Sequence, residues 1–265
     1  MTLENLRTYG GRPFMVAVIH GGPGAGGEMA PVARRLASKR GVLEPIQTAT
    51  SLQGQVEELK STLEHGGDPP LTLIGFSWGA WLSLIVAASY PALIKKLILI
   101  GSGPFEENYV SQLQQARLSR FTEEERTEYG LILKMLDDPA AHKREESLER
   151  LGKLTSRADE YDPDGRSPRE SPSLSGTGDL YQKVWRDAAE MRRSGTLLEL
   201  AQRIQCPVVA IHGDYDPHPA EGVRKPLLSV LKDFRFVLLK QCGHKPWIER
   251  RATEAFYQVL EEELQ

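Results

Sequence analysis

The sequence predicts an α/β protein: a mostly parallel, twisted sheet flanked on both faces by helices, with a helical insertion part-way along. Three observations carry this. Short continuous apolar runs at Phe14–Ile19, Leu71–Ile74, Leu97–Ile100 and Val208–Ile211 read as strands covered on both faces. Amphipathic helical patterns alternate with them, as parallel crossovers require. The alternation stops from about residue 105 to 203, where helical patterns succeed one another with no convincing strand. Residues 1–104 and 204–265 are therefore expected to form the sheet domain, and 105–203 a helical cap.

Taken in order, strand Phe14–Ile19 runs into a glycine-rich loop, His20 to Gly27, and then into a helix with Pro31 in its first turn and Val32, Leu36 and Ala37 on one face. Gly41 stops that helix, and Val42–Thr48 reads as the second strand. Val56–Leu63 is an amphipathic helix ending at Gly66-Gly67. Strand Leu71–Gly75 leads through a tight turn to a helix over Ala80–Ser89, and Leu97–Ile100 is the fourth strand. Within the insertion, Thr122-Glu-Glu-Glu125 has the spacing of a capping box. Residues 156–178, rich in Pro, Gly, Ser and charge, read as an irregular loop before a helix over Asp179–Arg193. The rhythm returns with strand Val208–Ile211, a helix near Glu221–Leu231, strand Arg235–Leu239 and a last helix over Arg251–Glu263.

At 265 residues, with 40% hydrophobic and 26% charged residues, the chain has ample material for one large core. A net charge of −3 gives no general attraction to nucleic acid or to anionic membrane. No apolar run approaches the ~18 residues that span a bilayer, and the first residues lack the apolar stretch of a signal peptide. A cytoplasmic location is expected. Cys206 opens one expected strand and Cys242 closes the next. Parallel neighbours would hold them roughly 17–20 Å apart, so neither a disulfide nor a zinc site is expected.

The chemistry is expected at Gly75-Phe76-Ser77-Trp78-Gly79, a Gly-x-Ser-x-Gly turn between strand and helix. Such a turn forces the serine to positive φ, and side chains at Gly75 and Gly79 would collide where strand and helix cross. The hydroxyl is left at a helix N-terminus, where free N–H groups favour developing negative charge. The loop after the first strand has two readings. Gly22 to Gly27 satisfies Gly-x-Gly-x-x-Gly, and Glu44 lies about where a ribose-binding acid belongs. Yet Glu44 sits near the start of its strand, and Pro23 removes an N–H from the phosphate cradle. In the other reading His20-Gly21-Gly22 supports an oxyanion hole made by the N–H groups of Gly22 and Trp78.

An elbow serine is expected to be followed along the chain by an acid and then a histidine. His65 and His142 lie in polar helical stretches, while His20 and His212 precede glycines at strand ends and read as structural hydrogen-bonders. His218, in a Pro-rich loop, is a weaker alternative base. His244, directly after the last strand, is the expected base. Asp216 is the expected acid, and Asp214 is expected to cap backbone N–H groups of the turn. Glu106 is a remote third choice.

Together, His20-Gly-Gly-Pro-Gly24, Gly75-Phe-Ser77-Trp-Gly79, His212-Gly-Asp-Tyr-Asp216 and Gly243-His244-Lys-Pro-Trp247 resemble the α/β-hydrolase superfamily, over about residues 14–104 and 204–263. The His-Gly-Gly-Pro-Gly run and the Trp after the serine also resemble its proline iminopeptidase branch, from which Phe76 and Ala80 depart. Little chain precedes Phe14, so the usual N-terminal antiparallel strands are expected to be missing or vestigial. The resemblance implies a serine hydrolase acting on a small-molecule ester or amide through an acyl-enzyme, with Ser77, Asp216 and His244 catalytic and with no cofactor or metal. Trp78, Trp81 and Trp247 are candidates for a pocket lining, though tryptophans at such spacing are more often core. Most of the acids of residues 105–203, a group that includes Asp159, fall in charged runs that read as solvated surface, and no spacing picks out an inward pair, which disfavours an aminopeptidase. Two other classes stay open on the sequence: a nicotinamide-dependent oxidoreductase using Gly22–Gly27, and a non-catalytic binding protein on the same fold.

Overall fold

The structure, a computed structural model, describes residues 5–137, 144–165 and 178–265. Strand β1 (Leu6–Tyr9) precedes β2 (Phe14–Ile19), α1 (Ala30–Leu36), β3 (Gly41–Pro45), α2 (Leu52–Gly66), β4 (Leu71–Phe76), α3 (Trp78–Ser89) and β5 (Ile94–Ile100). Helices α4 (Val110–Arg120), α5 (Glu123–Asp137), α6 (Arg144–Asp159), α7 (Gly178–Arg193) and α8 (Thr196–Ala201) follow without a strand between them. The chain then re-enters the sheet with β6 (Val208–Gly213), α9 (Glu221–Val230), β7 (Phe234–Leu239) and α10 (Thr253–Glu263). The strand order is β1-β3-β2-β4-β5-β6-β7, parallel throughout except for β1 against β3. This is the α/β-hydrolase fold that the sequence predicts.

The apolar runs are continuous because both faces of each central strand are buried. Ala17, Ile19, Leu97, Leu99, Val208 and Ala210 pack on the face covered by α2 and α3. Their neighbours Val16, Val18, Ile98, Ile100, Val209 and Ile211 pack on the opposite face with Leu36 of α1 and Phe256 and Leu260 of α10. A smaller cluster of Phe121, Ile132, Leu136, Leu148, Leu154 and Ala158 holds α5 and α6 together. The expected capping box forms at α5: Glu125 N–H donates to Thr122 Oγ1 at 3.3 Å, and Thr122 N–H to Glu125 Oε2 at 2.8 Å.

The antiparallel N-terminus is vestigial, as expected: it is one strand, β1, whose four residues pair Leu6 with Pro45 through Tyr9 with Val42. Two expectations change. The second strand closes at Pro45 rather than Thr48: Ile46 N–H still donates to the carbonyl of Asn5, but the N–H groups of Gln47 and Thr48 turn to His20 Nε2 and Glu58 Oε2. Helix α6 runs to Asp159, so the loop expected from residue 156 starts later, and its residues 166–177 lie outside the described residues. Both cysteines are free thiols. Among the described residues no helix is long and apolar enough to cross a membrane.

Candidate active site

Ser77 joins β4 to α3 with φ 52° and ψ −113°, a conformation that L-residues seldom adopt. The turn is tied down by Ser77 N–H donating to the Ile100 carbonyl at 2.9 Å. From Leu71 to Ala87 every residue is buried except Ser77. A Cβ on Gly75 would lie 2.3 Å from the carbonyl oxygen of Gly79, and one on Gly79 would lie 2.4 Å from that of Ile19. The two glycines are thus required by backbone contact, and the expected collision is real.

The loop after β2 is held by His20. Its Nδ1 lies 2.7 Å from the Gly21 carbonyl, and Gln47 N–H approaches Nε2 at 3.3 Å. These partners select the tautomer with the proton on Nδ1. Burial pushes the His20 pKa down, which keeps the ring neutral. Gly22 has φ +35°, and its carbonyl accepts from Ala25 N–H at 3.0 Å. Gly21 lies against Phe76, whose ring a Cβ there would meet at 2.7 Å. The tryptophans are core: Trp78 donates to Gln55 Oε1 at 3.1 Å, Trp81 donates to the Gly103 carbonyl at 3.1 Å, and Trp247 packs edge-on to Phe76.

The loop after β6 brings Asp216 to His244. Oδ2 of Asp216 accepts the Nδ1–H of His244 at 2.8 Å. Oδ1 accepts the backbone N–H of His218 at 2.9 Å and its Nδ1–H at 2.8 Å. His212, as expected, is structural: its Nε2–H donates to the His218 carbonyl at 2.8 Å, and it stands 3.6 Å from Oδ2. Burial alone would raise the Asp216 pKa, but the three surrounding histidines and the His218 hydrogen bond hold it well below the ordinary value. Burial drives His218 down to about 4, with His244 and Arg117 adding to the effect against the pull of Asp216. A carboxylate only accepts, so Nδ1 of His244 carries the ring proton and Nε2 of the neutral ring is left as an acceptor. The His244 ring lies 4.7 Å from that of Phe76, the residue before Ser77, and 4.5 Å from that of His218. Asp214 caps the neighbouring turn, accepting Cys242 N–H at 3.3 Å.

Atoms of Asp216, His218 and His244 come within 4.8 Å of one another, which makes them a candidate metal group by distance. Their 2.8 Å contacts are those of N–H···O hydrogen bonds, in which each Nδ1 lone pair is replaced by a proton. This donor set does not suit a metal.

Several residues at the site were not singled out by sequence. His244 N–H donates to the Asp159 carbonyl at 2.8 Å, and the Asp159 carboxylate takes two hydrogen bonds from Arg117, at 2.8 and 2.6 Å. Asp159 is therefore buried and paired, contrary to the solvated reading. Glu249, fully buried, accepts the N–H groups of Gly243, Tyr161 and Asp162 at 3.0, 2.8 and 2.7 Å. Burial pushes its pKa up, partly offset by those three donors. His65 is exposed on α2, and His142 lies outside the described residues.

The family model for the alpha/beta hydrolase fold matches residues 23–250. A pimeloyl-[acyl-carrier protein] methyl ester esterase of Neisseria meningitidis serogroup A is 26% identical over 200 residues, covering 71% of this chain and 55% of that protein. The chain thus spans about half the length of the curated relative it matches. Among solved structures, VinJ is similar with a TM-score of 0.67 at 19% identity, over 98% of this chain and 93% of that one. A 2-hydroxy-6-oxo-6-phenylhexa-2,4-dienoate hydrolase of Rhodococcus sp. strain RHA1 gives a TM-score of 0.64 at 20% identity, over 98% and 93%. At such identities the structures speak for the fold alone, and none of these comparisons carries the assignment down to the proline iminopeptidase branch. The match over residues 23–250, together with the sheet order, makes the chain a member of the α/β-hydrolase fold family.

Proposed function

We propose that the chain is a serine hydrolase that cleaves a small-molecule ester or amide through an acyl-enzyme. The observation that carries this is a strained, partly exposed serine in an otherwise buried run, directly after Phe76, whose ring lies 4.7 Å from that of a histidine whose Nδ1–H is held by Asp216. Ser77 Oγ attacks the carbonyl carbon while Nε2 of His244 takes its proton. The carbonyl π pair moves onto oxygen, where the N–H groups of Gly22 and Trp78 receive it; one such donor is typically worth ~2.7–4 kcal/mol. Asp216 keeps the imidazolium oriented and balanced in charge. Collapse expels the leaving group with the proton from His244, and water activated by the same ring releases the acyl group. In this reading residues 105–203 form the cap over the sheet domain of residues 1–104 and 204–265. The approach of Asp159 to His244 supports that arrangement.

The similarity to a methyl ester esterase favours an acyl ester. Asp159, the cap acid beside His244, is engaged by Arg117 and so is a poor partner for a substrate ammonium. The dinucleotide alternative is weakened because Glu44, its ribose-binding candidate, accepts a 2.6 Å hydrogen bond from Tyr9.

A fluorophosphonate probe should label the wild-type protein at Ser77, with labelling and ester hydrolysis both lost in Ser77→Ala. Undiminished labelling of that variant would remove the elbow from the mechanism. Comparison of kcat/KM for an amino-acid arylamide, its N-acetyl form and a simple acyl ester tests the substrate class. A strong preference for the free amine would restore the aminopeptidase reading.

A further inference from the structure

The catalytic reading leaves one buried imidazole without a task. His218 lies between Pro217 and Pro219, and its side chain is almost fully buried. It occupies Oδ1 of the carboxylate whose other oxygen holds His244, at the same 2.8 Å. The two rings stack with centroids 4.5 Å apart and planes inclined by 25°. Since Oδ1 also takes the His218 backbone N–H, both oxygens are engaged and the carboxylate cannot rotate without breaking a hydrogen bond.

We propose that His218 is a positioning residue for the acid–base pair, fixing the plane of the Asp216 carboxylate and drawing part of its negative charge away from His244. This rests on the serine-hydrolase reading for its kinetic consequences, but not for its geometry. The ring must stay neutral while His244 carries the proton, because two stacked imidazolium ions would repel. The groups facing it are Asp216, His244, His212 through the His218 carbonyl, and Arg117, itself paired with Asp159. With the ring removed, Oδ1 keeps only a backbone donor. The carboxylate is then less constrained and interacts more strongly with His244.

The test uses His218→Leu, which removes the donor, and His218→Asn, whose Nδ2 stands where the imidazole Nδ1 stood. His218→Leu should lower kcat about ten-fold with KM little changed, as expected for an effect confined to the transition state. It should also move the acid limb of kcat/KM upward by about half a pH unit, since the hydrogen-bonding of a charged partner sets such limbs. His218→Asn should recover most of both. Proton NMR supplies an arm independent of turnover: the wild type should show two carboxylate-bound imidazole N–H resonances, from His218 and His244, at lower field than the carbonyl-bound N–H groups of His20 and His212. The Leu variant should lose one and shift the other, and the Asn variant should lose one and leave the other in place. Loss of the hydrolase reading, seen as labelling that does not depend on Ser77, leaves the NMR arm intact. A His244 resonance unmoved in the folded Leu variant, or equal kinetics for Leu and Asn, overturns the proposal.

Discussion

The backbone N–H of His244 donates to the carbonyl oxygen of Asp159 at 2.8 Å, so the loop carrying the expected base is hydrogen-bonded to the end of α6. The join is extended by Glu249, which gathers Gly243 N–H from the same loop and the N–H groups of Tyr161 and Asp162 from the segment after α6. Arg250 N–H to the Asp162 carbonyl at 2.9 Å and Asp164 N–H to the Ile248 carbonyl at 2.6 Å continue it. In the proposed enzyme the end of α6 and the segment after it therefore hold the loop of the base.

Removal of Glu249 tests that join. Glu249→Ala leaves three N–H groups without their acceptor, that of Gly243 buried and those of Tyr161 and Asp162 part-buried; a buried one costs ~1–3 kcal/mol when unsatisfied and a part-buried one less. With partial relaxation the expected loss is about 3 kcal/mol in urea unfolding. The fall in kcat should exceed any change in KM, because His244 loses its support. A loss below about 0.5 kcal/mol, the range of an ordinary surface substitution, would count against it.

The two aspartates after β6 should separate cleanly. Asp216→Asn presents an amide NH2 to imidazole N–H donors and favours the wrong His244 tautomer. Loss of about 10⁴ in kcat accompanies the same change in a serine protease, and a drop of that order is expected. Asp214→Asn keeps an oxygen for Cys242 N–H and weakens only a 3.7 Å pairing with Lys240, so its cost is about 1 kcal/mol of stability or less. Steady-state kinetics on both variants decides, and a dead Asp214→Asn would reverse the assignment.

The buried histidines make stability depend on pH. The pKa of His218 lies at about 4 in the folded chain against ~6.5 when unfolded, so between these values the unfolded state binds more protons. Stability is therefore retained above pH ~6.5 and falls as pH drops toward 4; at pH 5 the loss from this group is about 2 kcal/mol. His20, also lowered by burial, adds in the same direction. Denaturant unfolding at pH 7.5 and 5 should show a smaller difference for His218→Leu than for wild type. An equal difference would mean that His218 does not titrate as described.

The elbow glycines should be intolerant where another glycine is not. A Cβ at Gly79 meets the backbone oxygens of Ile19 and His20 at 2.4 and 2.5 Å, so the strand and helix must part. Gly79→Ala is expected to cost about 3 kcal/mol, at the upper end of ordinary overpacking. Gly130, inside α5 with nothing within 4 Å of its Cβ position, should gain about 0.5–1 kcal/mol on replacement by Ala. Thermal melts of the two variants should move in opposite directions.

Much of the architecture is legible in the chain because its causes are local. Continuous apolar runs at β2, β4, β5 and β6 arise wherever a strand is covered on both faces. The glycines of the elbow and the capping box at Thr122 answer to backbone geometry within a few residues. The Ser77, Asp216 and His244 positions follow from where such strands end. Strand β1 left no signal, since its four half-exposed residues become a strand only when the edge of β3 is present to pair with them.

Tertiary structure alone decided the surroundings of Asp216. Whether Asp159 is solvated or buried depends on Arg117, 42 positions away, because a carboxylate leaves water only when another group supplies the lost hydrogen bonds. Glu249 becomes a backbone acceptor because the segment after α6 crosses the loop of His244. His218 reads in sequence as one more histidine in a Pro-rich turn. Its place on Oδ1 of Asp216 arises from the folding of that turn, and its stacking on His244 depends on a second loop that arrives from the end of β7. Sequence can determine which residues are able to do the chemistry. Only the convergence of chain segments distant in sequence decides which neighbours tune them.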